Sequence, residues 1–142
     1  MRSIMSPSSD SNTPGIPFFS ETVAAGFPSP AMGELNGTLD LNDLCIRHPS
    51  ATYFIRARGE SMMGAGIGDG DILVVDRSLT ARHGDIIIAA VSGEFTVKRL
   101  DMRPNSPIRL CPENPAYTPI TLTPELDAEF FGVVTYCLKN MR

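Results

Sequence analysis

"DILVVDRSLTARHGDIIIAAVSGEFTVKRL", residues 71–100, decides the fold. Three apolar runs rich in Val and Ile, each too short for a stable helix, are separated by polar breaks carrying Asp, Ser and Gly. Short β-branched runs bounded by turn residues read as strands. Ser92-Gly93, between Val91 and Glu94, is the signal of a two-residue hairpin. The pattern extends outward, with "ATYFIRARG" before it and "PIRLCP" and "EFFGVVTYCLK" after it. Strands recurring at this spacing predict a mainly β domain, a compact and mostly antiparallel barrel or sandwich.

The N-terminal third reads differently. Residues 1–17 are rich in Ser, Pro and Gly, show no periodicity and bury too little to offset ordering, so a mobile arm is expected. "FFSETVAAGFPSP" follows, an apolar stretch suited to lying extended before its prolines. Leu41, Leu44, Cys45 and His48 fall at helical spacing, with Thr38 or Asp40 as cap and Pro49 as stop. One short helix is expected there, with His48 capping or covering its end.

Composition narrows the function classes. The chain has 142 residues, 42% of them apolar, enough for one domain with one core. The net charge of −4, with scattered basic residues, gives no footprint for direct DNA binding. No apolar run approaches the roughly 18 residues of a membrane span, and no signal-peptide core precedes the strands. Three cysteines without a paired spacing argue for free thiols in a reducing, cytoplasmic compartment, and neither cofactor nor structural metal is expected.

Three motifs fail on inspection. "GAGIGDGD" alternates its glycines and leads into a strand, so it lacks the helix N-terminus a phosphate loop needs. Asp69 and Asp71 are followed by Ile72 and Leu73 where a calcium loop requires oxygen ligands and glycine; a turn entering a buried strand is expected instead. Gly59, Ser61 and Gly64 are spaced unlike a hydrolase nucleophile elbow.

Ser61 still needs a base if it is a nucleophile. His83 sits in "ARHGD" and reads as a polar turn residue. Of the two lysines, Lys98 lies in "GEFTVKRL", where alternation sets Thr96, Lys98 and Leu100 on one face and Phe95, Val97 and Arg99 on the other. An ordinary lysine, with a pKa of about 10.4, is almost wholly protonated at neutral pH, so it serves as a base only when desolvated. From the residues alone, a Ser61–Lys98 pair and a solvated strand lysine both stay open.

Several stretches in order resemble the UmuD family and, more broadly, the LexA/UmuD-type self-cleaving Ser-Lys peptidases. They are "FPSPA", "LDLNDLCIRHPSATYF", "GESM", "GDGDILVVD", "HGDIIIAAV", "GEFTVKRL", "NPAYTPIT" and "FGVVTYCLK". The resemblance implies a LexA/UmuD-like peptidase domain of antiparallel strands with a mobile N-terminal arm. It implies Ser61 as nucleophile, Lys98 as general base and Ala25–Gly26 as the bond cut. Residues 1–25 would be the arm removed, 26–48 a linker with a short helix, and 49–142 the peptidase domain. It further implies an SOS-response role: cleavage stimulated by the RecA–single-stranded DNA filament, and a processed homodimer serving a UmuC-type Y-family polymerase in translesion synthesis. Only about 25 residues, rich in Ser and Pro, precede that bond, so no DNA-binding domain is expected, and no membrane partner. Two other readings remain: a trans-acting Ser-Lys peptidase, and a non-catalytic β-rich binding module.

Overall fold

The computed structural model describes residues 15–19, 22–27 and 35–142. The chain divides into two units, residues 1–44 and 45–142. In the first, β1 (Ile16–Phe19) pairs antiparallel with β2 (Leu35–Leu39), Ile16 opposite Leu39 and Phe19 opposite Leu35. Pro17 is tolerated because a two-stranded ribbon has a free edge for a residue without an N–H. Gly15 is fitted to this ribbon, since a Cβ on it would stand 2.7 Å from the Thr38 Cβ. This ladder differs from the expectation of an arm over residues 1–17 and of no strand at 35–39. Asn36 and Gly37 disguise β2 as a turn, and Gly37 does hold a positive φ of 86° within it. The rest of the expected arm, residues 1–14, lies outside the described residues.

The expected helix is present but shorter. α1 spans Leu41–Cys45 and is capped by Asp40, whose carboxylate accepts the Asn42 N–H at 2.9 Å. His48 neither caps nor covers it. It precedes a 3-10 turn, Pro49–Ala51, and its ring turns to Asp76, Nδ1 to Oδ2 at 2.7 Å. A buried carboxylate is a stronger partner for an imidazole than a helix end, and Asp76 is only 5% exposed. Burial pushes the Asp76 carboxyl up, but hydrogen bonds from Ser78 and His48 outweigh it and hold the group below its ordinary value.

The second unit is one antiparallel sheet of seven strands. They are β3 (Thr52–Arg56), β4 (Ile72–Asp76), β5 (Ile86–Val91), β6 (Glu94–Asp101), β7 (Arg109–Cys111), β8 (Ile120–Thr121) and β9 (Ala128–Leu138). Their spatial order is β3-β4-β9-β5-β6-β7-β8. The last and longest strand is thus inserted at the centre: one half of β9 pairs with β4 and the other with β5. Gly132 allows the close approach, because a Cβ there would meet the Val75 side chain at 2.6 Å. The β5–β6 hairpin turns at Ser92-Gly93 as read, both residues at positive φ, 52° and 82°.

The centre of the sheet is buried on both faces. Ile88 joins Leu73, Val75, Met62 and Ile67 in one core cluster, while its neighbours Ile87 and Ala89 join Leu100, Leu110 and Val133 in the other. That explains why β4 and β5 read as unbroken apolar runs, whereas the edge strand β3 mixes exposed and half-buried positions. The strand β8 has no signal in the sequence, since two residues after a Pro look like loop. Among the described residues no helix is long and apolar enough to cross a membrane.

Candidate functional site

Ser61 stands on the loop between β3 and a 3-10 turn at Met63–Ala65. The loop leaves the sheet at Ala57, which exchanges backbone bonds with Asp71 and Gly70 at 2.8 Å each. It then turns at Gly59, whose φ of 90° excludes most side chains and whose N–H donates to Asp69 Oδ1 at 2.7 Å. Met62, 2% exposed, plugs the residue after Ser61 into the core. The Ser61 carbonyl accepts the Glu113 N–H at 2.7 Å, and the Asn114 side chain donates to the Glu60 carbonyl at 2.8 Å. Burial on one side and backbone bonds on the other hold the hydroxyl in place.

Lys98 lies on β6, opposite Ile87 in the ladder. Its Nζ reaches Thr96 Oγ1 at 2.6 Å, the Val97 carbonyl at 3.2 Å and Ser61 Oγ at 3.5 Å. All three are neutral oxygens, and no carboxylate pairs with this amine among the described residues. Half-buried without a counter-charge, Lys98 is pushed below the ordinary value of a lysine by desolvation. A neutral amine has two N–H groups and one lone pair. In that form Thr96 and Val97 would accept the two N–H groups, and the lone pair would be left for Ser61. At 3.5 Å that last contact is at the outer limit of a hydrogen bond.

A cleft of about 550 Å³ opens beside Ser61. Its walls include the apolar side chains of Ile55, Leu73, Ile88 and Val97 and the charged Arg58 and Asp69.

Of the residues singled out from the sequence, Ser61 and Lys98 are brought together. Ala25 and Gly26 belong to the first unit, exposed in a bend. The two histidines are engaged elsewhere: His48 with Asp76, and His83 as a turn residue whose Nδ1 accepts the Met102 N–H at 3.0 Å. Asp69 and Asp71 line a turn, as expected. Asp71 is itself buried and holds the Gly68 N–H at 2.7 Å and the Lys139 ammonium. The sequence reading placed Thr96 on the face of Lys98 without giving it a part. Glu113 and Asn114, which hold the Ser61 loop, carry no local signal in the sequence.

With this geometry in view, comparison with known proteins identifies the class. The Peptidase S24-like family matches residues 17–135, and the chain belongs to that family. It is 48% identical over 136 residues to Protein MucA of Salmonella typhimurium, covering 95% of this chain and 92% of that one. It is 50% identical over 126 residues to Protein SamA of Salmonella typhimurium strain LT2, covering 89% and 86%. It is 38% identical over 135 residues to the LexA repressor of Hahella chejuensis, covering 93% of this chain and 66% of the repressor. The family relationship read from the motifs is therefore borne out.

Proposed function

We propose that the chain is a self-cleaving serine peptidase of the SOS response, with Ser61 as nucleophile, Lys98 as general base and Ala25–Gly26 as the bond cut. The observation that carries this reading is Lys98 Nζ at 3.5 Å from Ser61 Oγ with only neutral oxygens around it. Neutral Lys98 takes the Ser61 proton while Oγ attacks the Ala25 carbonyl carbon. The amide N–H groups of Ser61 and Met62 have no hydrogen-bond partner among the described residues, which suits them to the developing oxyanion. Collapse breaks the bond to the Gly26 nitrogen, which leaves with the proton carried by Lys98. Water, deprotonated by the same amine, then releases the Ala25 carboxylate from the Ser61 ester.

Residues 1–25 are the segment removed, 26–48 a linker and 49–142 the peptidase domain. In the cytoplasm the RecA–single-stranded DNA filament stimulates cutting, and residues 26–142, as a homodimer, serve a UmuC-type Y-family polymerase in translesion synthesis. The motif resemblance and the similarity to MucA, SamA and LexA support this part. Incubating the full chain at alkaline pH tests the chemistry. A fragment beginning at Gly26 is expected, and it disappears in Ser61→Ala. Absence of that fragment from the parent chain, at alkaline pH and with the filament, would rule the peptidase out in favour of a binding module.

A further inference from the structure

The strand carrying Lys98 and the loop carrying Ser61 are also joined by contacts that do not touch the reacting atoms. Glu113 clasps the loop twice through its backbone, donating to the Ser61 carbonyl at 2.7 Å and accepting the Gly64 N–H at 2.8 Å. The clasp is tight, since a Cβ on Gly64 would lie 2.6 Å from the Glu113 carbonyl oxygen. The Glu113 side chain then reaches β6, where Arg99 Nε donates to its Oε2 at 2.7 Å. Arg99 is the residue after Lys98, and its Nη1 is held in turn by the Gly84 carbonyl at 2.6 Å. Neighbours on a strand point to opposite faces, so Arg99 does not compete with Lys98 for the hydroxyl. Ser61, Glu113, Arg99 and Lys98 thus form a closed ring in which the 3.5 Å contact is the one loose link.

We propose that the Arg99–Glu113 pair is a strut that sets the separation of Lys98 Nζ from Ser61 Oγ. Both are positioning residues for the self-cleavage proposed above, on which this inference rests. A half-exposed ion pair adds little to global stability, but a charge-assisted bond anchored at both ends fixes geometry. Misplacement of reacting groups by about 1 Å costs on the order of 100-fold in rate.

The test compares the full parent chain with Glu113→Gln, Arg99→Met and the charge-swapped R99E/E113R double variant. Self-cleavage is followed across neutral to alkaline pH, with thermal midpoints beside it. Each single variant is expected to cut roughly 10- to 100-fold more slowly, with the pH midpoint moved upward because a loosened loop admits water to Lys98. The swap is expected to recover part of the rate. The direction of the pH shift separates positioning from charge. Arg56, Arg58, Asp69 and Glu60 surround the site unchanged in every variant. Simple removal of charge would move the midpoint down in Glu113→Gln and up in Arg99→Met, and that opposite movement would overturn the strut. Parent-like rates in both variants would overturn it too, and leave the peptidase reading intact. A silent parent chain would instead remove the peptidase reading itself. If the ion-pair variants do not fold, Asn114→Ala loosens the same loop at Glu60; slower cutting with an upward midpoint supports the strut, and a parent-like profile overturns it.

Discussion

Lys98 and Lys139 are the only lysines in the chain, and the fold treats them in opposite ways. Lys98 is half-buried among neutral oxygens, and desolvation pushes its amine below the ordinary value. Lys139 follows β9, more exposed, bonded to the buried Asp71 carboxylate, which pushes it up. Asp71 is correspondingly held down, by Lys139 first and the Gly68 N–H second. Residue type alone would have made either a candidate base. What separates them is the partner: a carboxylate stabilises the ammonium, whereas hydroxyl and carbonyl oxygens around a desolvated amine leave it closer to neutral.

The largest expected effect follows from replacing Lys98. Lys98→Ala should reduce cutting by roughly 100- to 10,000-fold, the usual worth of a general base, measured as appearance of residues 26–142 on a gel. Lys98→Met should do the same while raising the thermal midpoint at neutral pH. The sign follows from linkage: an amine with a depressed native pKa penalises folding while it is charged. That penalty is full below the native pKa and fades as pH rises toward the ordinary lysine value. A midpoint that falls in Lys98→Met would break the contrast between the two lysines.

Next in size is Thr96. Thr96→Val removes the 2.6 Å acceptor and should slow cutting about 10-fold, the rate equivalent of one hydrogen bond of ~1.4 kcal/mol. Thr96→Ser should keep most of the rate, since the hydroxyl remains. Equal rates in the Val and Ser variants would show that Thr96 does not orient the amine.

The pH profile sharpens the contrast further. Cutting should rise with pH as Lys98 loses its proton, with a midpoint below that of an ordinary lysine. The smallest effect on cutting belongs to Lys139→Met, within about 2-fold of the parent and with an unchanged midpoint, because neither Lys139 nor the Asp71 carboxylate bonds Ser61 or Lys98 among the described residues. Its effect is on stability. The raised Lys139 contributes below the ordinary lysine value and is lost as pH climbs through its native value; the depressed Asp71 contributes above the ordinary carboxyl value and is lost as pH falls through its own. Thermal melts of Lys139→Met should therefore differ from the parent most between those limits and converge at both extremes.

Much of the fold was legible because its signals are local. β4, β5 and β6 announced themselves as β-branched runs, and Ser92-Gly93 announced their hairpin. The face shared by Thr96 and Lys98 follows from a two-residue period that no tertiary contact is needed to read. The misses are equally physical. β2 carries Asn36-Gly37 and was hidden by turn composition, β8 is two residues long, and His48 was drawn from the helix by a carboxylate 28 positions away. At the site, Glu113 and Asn114 reach Arg99 and the Ser61 loop across long stretches of sequence, and such contacts leave no pattern in the local residue order.

By itself, then, the amino-acid order determined a mainly β chain, a serine in a glycine-flanked loop and a strand lysine with a threonine beside it. Through its motifs it also determined the family. Only the tertiary structure decided that Ser61 and Lys98, 37 residues apart, meet, and that Lys139 is taken by Asp71 across 68 residues. Both outcomes depend on β9, the last strand, inserting between β4 and β5, with Lys139 just beyond its end. Whether an amine is a base or half of an ion pair is set by its burial and partners, and those are properties of the packed chain.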